Sequence, residues 1–274
     1  MKLKNYFLII LVGIGLSSFS QTLTKVWTTS DGLKTPESVL YDAASNSIYV
    51  SNIDGDASVK DGNGFISILN ADGKIKNLHW ISGLNAPKGQ AIHNGKLYVA
   101  DIDELVEISI KESKIIRRFK VENAKFLNDV TASEDGIIFV SDMKDNKIYA
   151  LTDGKLTLWL DDKVLENTNG LWAENGQLYI GTAQIIQADI ETKKIRVLVE
   201  NCGGIDGLEK LKDGNFIYSN WQGRIFITKG NESIKLLDTV DKLNTADIDF
   251  VPAKNLVLVP TFLGNSVEAY TLKR

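Results

Sequence analysis

The chain is built from short apolar segments that are separated by polar turns. One pattern recurs six times: a polar residue opens an apolar segment, a turn follows, and a second apolar segment ends on another polar side chain. The clearest copy runs from Gly204 to Leu208, turns at Asp213-Gly214, and continues from Phe216 to Asn220. Segments of this length between turn residues are typical of β-strands.

The six copies are evenly spaced. Their second segments align on Tyr49, Tyr98, Phe139, Tyr179, Ile217 and Leu258, at intervals of 49, 41, 40, 38 and 41 residues. The longest interval contains a polar insertion at residues 54–64. A period near forty that consists only of strands and turns is typical of a β-propeller, and no segment has the 3.6-residue spacing that a helical repeat needs. The sequence therefore predicts an all-β, six-bladed β-propeller.

Each predicted blade has four strands. In the third copy these are Asn128 to Ala132, Ile137 to Ser141, Lys147 to Leu151, and Lys155 to Leu160. The sixth copy is one strand short, whereas an extra strand, Thr22 to Thr28, precedes the first copy. We expect this N-terminal strand to complete the last blade and close the ring, so that residues 21–274 form a single propeller domain.

Residues 1–20 have the pattern of a secretory signal peptide. Lys2 and Lys4 precede an apolar run from Tyr6 to Leu16, and a small-x-small motif ends at Ser20. Because the run is shorter than a membrane-spanning helix, we expect cleavage rather than an uncleaved membrane anchor, which is the alternative. The prediction is a secreted protein of the bacterial periplasm, with no stable membrane insertion after cleavage.

Composition excludes several classes of function. The formal net charge is −4, and residues 21–274 carry 29 basic against 35 acidic side chains, which argues against nucleic acid or an anionic membrane as a partner. Cys202 is the only cysteine, so an intramolecular disulfide is excluded and a small packed residue is expected. With His79 and His93 as the only histidines, a zinc site of His or Cys ligands is also excluded.

Strand polarity predicts where the polar residues meet. In an up-and-down blade, the residue that enters the innermost strand and the residue that leaves the second strand lie at the same end. We therefore expect one mouth of the channel to collect an inner ring and a second ring of oxygen-rich side chains. The predicted inner ring is Glu37, Lys88, Asn128, Asn169, Asp206 and Asp247, and the predicted second ring is Asn52, Asp101, Asp142, Thr182, Asn220 and Thr261.

Carboxylates that converge on a narrow mouth repel one another unless a positive charge lies among them. Carboxylate and amide oxygens suit a hard divalent cation such as Ca²⁺ or Mg²⁺. The set Glu37, Asn169 and Asp206 therefore indicates a cation site. The alternative is that these polar residues only cap strand ends and hydrate the channel.

The successive motifs resemble those of the senescence marker protein (regucalcin)/gluconolactonase family of six-bladed propellers. The motifs are Pro36-Glu37-Ser38-Val39, Asn128-Asp129, Asn169-Gly170-Leu171 and Asp206-Gly207-Leu208, and the similarity follows the chain in order from residue 21. The resemblance implies one divalent cation, Ca²⁺ or a substitute such as Mg²⁺, Mn²⁺ or Zn²⁺. It assigns the metal ligands to Glu37, Asn169 and Asp206, a further contact with metal and substrate to Asn128, and an adjoining acid to Asp129.

Two residues depart from the family pattern. Phe126 stands where gluconolactonases commonly place an arginine that grips a sugar lactone, and Lys88 adds a positive charge at the mouth. Lys88 either binds an anionic group of the substrate or offsets the acids. The expected reaction is metal-assisted hydrolysis of a lactone or related ester, a small-molecule substrate, with Asp206 or Asp129 as the proton acceptor.

The competing hypothesis is a non-catalytic propeller that binds a small molecule and holds a structural cation. Aromatic side chains could form such a binding surface, although packing between blades is their commoner role. The five tryptophans are Trp27, Trp80, Trp159, Trp172 and Trp221. Of these, we expect Trp172 and Trp221 to approach the mouth.

Overall fold

Six four-stranded antiparallel sheets form the protein, as a computed structural model shows for residues 21–240 and 242–273. The predicted signal peptide, residues 1–20, lies outside the described residues, and its cleavage stays a prediction. None of the helices in the described part of the chain has the length and apolar character needed to cross a bilayer.

The blades follow one another along the chain, and each runs from its innermost to its outermost strand. The first blade comprises β2 (Pro36–Asp42), β3 (Ser47–Asn52), β4 (Gly64–Asn70) and β5 (Ile75–Leu84). The second comprises β6 (Pro87–His93), β7 (Lys96–Asp101), β8 (Glu104–Ser109) and β9 (Lys114–Lys120). The third comprises β10 (Leu127–Ala132), β11 (Ile138–Asp142), β12 (Lys147–Thr152) and β13 (Lys155–Asp161).

The remaining blades have the same order. The fourth comprises β14 (Leu171–Glu174), β15 (Gln177–Gly181), β16 (Ile185–Asp189) and β17 (Ile195–Val199). The fifth comprises β18 (Leu208–Lys210), β19 (Phe216–Asn220), β20 (Arg224–Lys229) and β21 (Glu232–Asp238). The sixth comprises β22 (Asp249–Val251), β23 (Leu256–Thr261), β24 (Ser266–Lys273) and the N-terminal strand β1 (Thr22–Thr29). The described helices are single 3₁₀ turns at Lys163–Leu165, Pro252–Lys254 and Phe262–Gly264.

The predicted ring closure is confirmed. Strand β1 pairs with β24 from Thr22 opposite Lys273 to Thr29 opposite Val267, so it supplies the outer strand of the last blade. An ion pair joins Lys25 Nζ to Glu268 Oε1 at 2.6 Å, and Thr29 Oγ1 donates a hydrogen bond to the Gly73 carbonyl of the first blade. Closure in this way leaves the ring without a gap between its first and last blades.

The hydrophobic core is a ring of interfaces between blades. Six clusters of buried apolar residues each join two neighbouring blades; one example packs Ile186 and Leu178 of the fourth blade against Phe139 of the third. Cys202 packs in the cluster between the fourth and fifth blades, buried as expected. Trp27, Trp80 and Trp159 also pack against such clusters. Apolar residues on both faces of each sheet thus hold the blades at a fixed angle around the axis.

The innermost strands approach one another closely near that axis. A Cβ atom on Gly89 would lie 2.5 Å from Asp129 Cα of the next blade, and one on Gly170 would lie 2.6 Å from the Asp206 carbonyl oxygen. Glycine is therefore required directly after the inner-ring residues Lys88 and Asn169. This close approach brings side chains from different blades to one point.

Candidate functional site

A cavity of about 420 Å³ lies at the end of the ring where the innermost strands begin. Its residues come from two kinds of position: those that enter the first strand of a blade and those that follow the second strand. The lining residues are Glu37, Ile53, Ala57, Lys88, Phe126, Asn128, Met143, Asn169, Asp206, Trp221 and Phe262. They come from all six blades, so only the closed ring creates this cavity.

Five of the six predicted inner-ring residues form the polar floor of the cavity. Glu37, Lys88 and Asn128 are each the second residue of an innermost strand, whereas Asn169 and Asp206 each stand two residues before one. All five side chains are buried. The three residues expected to hold a cation are therefore brought together from the first, fourth and fifth blades.

The sixth position was predicted wrongly by one residue. Ser219 Oγ bonds the Ala246 carbonyl in the same way as Ser51 Oγ bonds the Lys88 carbonyl, so Ala246, and not Asp247, is the counterpart of Lys88. Asp247 instead pairs with Ser38 of the first blade and accepts a hydrogen bond from Ser38 Oγ at 2.6 Å. Because side chains alternate along a strand, this shift turns the Asp247 carboxylate away from the mouth.

The second ring was also predicted wrongly. Its polar side chains do not line the cavity but are buried and bond backbone groups. Asn52, Asp101 and Asp142 bond the backbone where the chain enters the same blade, whereas Thr182, Asn220 and Thr261 bond the turn that follows them. Asp142 accepts hydrogen bonds from the Lys125 and Phe126 N–H groups at 2.8 and 2.9 Å. Asp101 does the same for Asn85 and Ala86. For these residues the alternative interpretation, capping of chain ends, is the right one.

The walls of the cavity are apolar because they are formed by the residues that directly follow the predicted second ring. Ile53, Met143, Trp221 and Phe262 each follow a member of the predicted second ring directly. Where the polar residue points inward to hold the backbone, its neighbour points to the cavity. The apolar residue that directly follows the polar end of each second strand is the sequence signal that could have predicted these walls.

The carboxylates of the floor lie in an environment that disfavours their charge. Asn169 Nδ2 donates a hydrogen bond to Asp206 Oδ1 at 2.9 Å, and burial raises the pKa of Asp206 to about 7. Burial, then Asp206 and Asp247, raise the pKa of Glu37 well above its usual range, and Lys88 partly opposes this. Glu37 Oε2 is buried with no hydrogen-bond partner among the described residues. The donor from Asn169 and the charge of Lys88 therefore compensate the two acids only in part.

Lys88 supplies part of that charge from a fixed position. Its Nζ donates to the carbonyls of Ala57 and Ala86 at 3.0 and 2.8 Å, and lies 4.4 Å from the centre of the Phe126 ring. Burial lowers the pKa of Lys88 to about 8, while Glu37 and Asp101 act in the opposite direction. An ammonium held by two carbonyls and an aromatic face is better suited to offsetting the acids than to gripping an anionic substrate.

The three remaining predicted site residues differ in placement. Phe126 and Asn128 line the cavity, where Asn128 Nδ2 lies 3.5 Å from Met143 Sδ. Asp129 does not. Its Oδ1 accepts the Val130 N–H at 2.7 Å and its Oδ2 accepts the Leu171 N–H at 2.5 Å. Asp129 thus ties the third blade to the fourth and is not oriented to accept a proton from a substrate in the cavity.

The donor set at the floor fits a hard divalent cation. Two carboxylates and a carboxamide offer oxygen ligands, and a cation would satisfy the orphaned Glu37 Oε2. Within residues 21–240 and 242–273, no group of three or more His, Cys, Asp or Glu side chains converges tightly enough to hold a metal ion. A cation held here would therefore need the Asn169 carbonyl oxygen as its third protein ligand.

A second cavity of about 190 Å³ occupies the channel beyond the floor. Asp129, Glu209 and Asp247 line it, together with Gln90 and Trp172. Trp172 therefore lies inside the channel and not at the mouth, unlike Trp221. Burial raises the pKa of Glu209 well above its usual range and that of Asp249 to about 6. No sequence motif marks Glu209 or Asp249, because each is a single acidic residue within a short strand.

No protein-family model and no curated protein sequence matches the chain. Among solved structures, a putative gluconolactonase is similar with a TM-score of 0.69, at 14% identity and 93% coverage of both chains. A gluconolactonase from Xanthomonas campestris has a TM-score of 0.66, at 14% identity, over 87% of this chain and 86% of that one. A catalytically inactive histidine-to-alanine variant of virginiamycin B lyase from Staphylococcus aureus, solved with quinupristin, has a TM-score of 0.64 at 14% identity. The similarity covers 93% of this chain and 100% of that one.

The TM-scores show a shared fold, and at 14% identity they show no more than that. The chain has the six-bladed propeller fold of regucalcin- and gluconolactonase-like proteins.

Proposed function

We propose that the chain is a divalent-metal-dependent hydrolase of lactones or related esters that acts in the cavity at the channel mouth. One observation carries the proposal: Glu37, Asn169 and Asp206, from three different blades, line the same cavity, and the two carboxylates have raised pKa values. Acids whose pKa values are strongly perturbed by burial in a cleft are candidates for a functional site. The fold that the chain shares with two gluconolactonases supports the same reaction class.

Glu37, Asn169 and Asp206 are the residues that would hold the cation, with Ca²⁺ the first choice by ligand type. When bound, a divalent cation polarises a carbonyl oxygen and makes water more acidic. Asn169 orients Asp206 through its 2.9 Å hydrogen bond to Oδ1. Lys88 limits the repulsion between the acids, and Asn128 lies where it can contact the substrate.

Asp206 is the proton acceptor that the geometry favours. It lines the cavity, whereas both carboxylate oxygens of Asp129 are held by backbone N–H groups. A water molecule that loses a proton to Asp206 adds to the lactone carbonyl carbon. The bond between that carbon and the ring oxygen breaks, the ring oxygen takes the proton, and the product is a hydroxy acid.

A lyase that depends on a histidine is less compatible with this cavity. His79 packs on the Phe65 ring with the ring centres 4.2 Å apart, and His93 ends strand β6 beside Gly136. Neither lines the cavity. Hydrolysis is therefore the proposed reaction, although one structural neighbour is a lyase.

The test combines calorimetric cation binding with a panel of lactones and esters assayed with Ca²⁺, Mg²⁺, Mn²⁺ and Zn²⁺. Asp206→Ala is expected to abolish both cation binding and hydrolysis, because it removes a ligand and the proton acceptor. Asp72→Ala, at an exposed turn, is the matched control and should retain both. Lactonase activity that persists in Asp206→Ala would refute the scheme. Cation binding without hydrolysis of any substrate would instead support the non-catalytic binding propeller.

A further inference from the structure

We infer that the substrate of this site is a lactone or ester with an apolar alkyl or aryl group, and not a polyhydroxylated sugar lactone. The inference rests on the proposed function, because it names the substrate class for the same cavity. It is drawn from the distribution of polar and apolar side chains within the cavity.

Apart from the indole N–H of Trp221, the polar side-chain groups of the cavity lie at the floor. Above the floor the walls are Ile53, Ala57, Phe126, Met143, Trp221 and Phe262, none of which offers a side-chain oxygen. Phe262 and Ala57 pack on a buried apolar cluster that contains Ile53, and Trp221 meets Phe262 edge-on with ring centres 4.4 Å apart. The walls are thus held in place by their own packing, as preformed apolar ligand sites are.

A sugar lactone would place several hydroxyl groups against these walls. Each hydroxyl would lose its hydrogen bonds to water without gaining a partner, which disfavours binding. Lys88 offers little compensation, since its Nζ already donates to two carbonyls. An alkyl or aryl group would bury apolar surface against the same side chains, while its carbonyl reached the polar floor.

An apolar strip continues beyond the cavity. A groove of about 390 Å³ shares Trp221 with it and is lined by Val240, Leu243 and Leu263 together with the polar residues Gln222, Lys242 and Asn244. Trp221 is 41% exposed and Leu263 is 68% exposed. Large apolar side chains that stay exposed at a cavity rim are typical of ligand-binding surfaces. An alkyl chain longer than the cavity would therefore pass over Trp221 into this groove.

The experiment compares γ-lactones that differ only in the length of the alkyl side chain, with glucono-δ-lactone as the sugar substrate and Ca²⁺ present throughout. The kcat/KM value should rise roughly threefold for each added methylene group until the groove is filled. In Trp221→Ala, the ratio of kcat/KM for long and short chains should fall at least about tenfold. Trp27→Ala, which removes a tryptophan from the outer strand β1 and not from the cavity, should keep the wild-type ratio.

A binding measurement separates this inference from the proposed function. Alkyl lactams, in which nitrogen replaces the ring oxygen, are titrated against the protein and followed by tryptophan fluorescence. Affinity that increases with chain length while no lactone is hydrolysed would uphold the ligand class and refute the hydrolase. Hydrolysis that is independent of chain length, or fastest with glucono-δ-lactone, would refute the ligand class alone. A protein that neither binds the lactams nor hydrolyses the alkyl lactones would also refute it.

Discussion

At the scale of single residues, alternation along a strand decides which chemistry faces the cavity. Asp142 and Met143 are neighbours in sequence, yet Asp142 bonds buried backbone groups while Met143 lines the cavity. The same division separates Asn220 from Trp221. A carboxylate at the mouth end of the second strand therefore has a structural role when its side chain points into the blade.

Replacement of Asp142 tests this assignment. Asp142→Ala leaves the N–H groups of Lys125, Phe126 and Asp145 without an acceptor and should lower the free energy of unfolding by about 3–5 kcal/mol. Urea denaturation measures the effect, and Asp135→Ala, at an exposed turn of the same blade, is the control. Ca²⁺ affinity should fall far less than in Asp206→Ala. Normal stability with lost cation binding would show that Asp142 is a ligand after all.

At the scale of elements, the insertion between β3 and β4 helps to build the site. It supplies Ala57, whose side chain lines the cavity and whose carbonyl accepts a hydrogen bond from Lys88. An ion pair of 2.6 Å between Lys60 and Asp103 fastens the insertion to the second blade. The one irregular interval in the repeat thus corresponds to a segment that covers part of the mouth.

The closing strand β1 is the element whose loss should affect stability most. Removal of residues 21–29 exposes the edge of β24 and leaves the buried Glu268 without Lys25. We expect the melting temperature to fall by at least about 10 °C, since each kcal/mol lost corresponds to roughly 2–4 °C in a domain of this size. Differential scanning calorimetry measures this change. A synthetic peptide of residues 21–30 should restore part of the loss, and an unchanged melting curve would refute the closure.

At the scale of the whole molecule, the channel and its mouth hold more carboxyl groups than positive side chains. Five carboxyl groups line the channel or its mouth, and a sixth, Asp249, is buried on the innermost strand β22. Burial raises the pKa of all six: Glu37, Asp129, Asp206, Glu209, Asp247 and Asp249. Among the residues that line the channel cavity and the mouth, Lys88 is the positive side chain. The propeller therefore favours protonated acids or a bound cation along its axis.

A measurable pH dependence follows for Asp249. Its folded-state pKa of about 6 exceeds the usual 3.8, so the stability it contributes is fully present below pH 3.8 and is lost as the pH rises through 6. Asp249→Asn keeps an acceptor for the Tyr41 N–H and removes the titration. Relative to the wild type, the variant should gain about 2 kcal/mol between pH 4 and pH 8 in urea denaturation. A difference that stays constant across this range would contradict the assignment.

The sequence by itself determined the number of blades, the closure through β1 and the meeting of Glu37, Asn169 and Asp206. These features depend on the repeat period, the strand direction and the number of repeats, all of which can be read from a single sequence. Only the tertiary structure decided that Ala246 replaces Asp247 in the inner ring, that Asp129 ties two blades together, and that the walls are apolar. Those outcomes depend on the face of the sheet to which each side chain points. A strand with apolar residues on both faces has no alternating pattern from which that direction could be predicted.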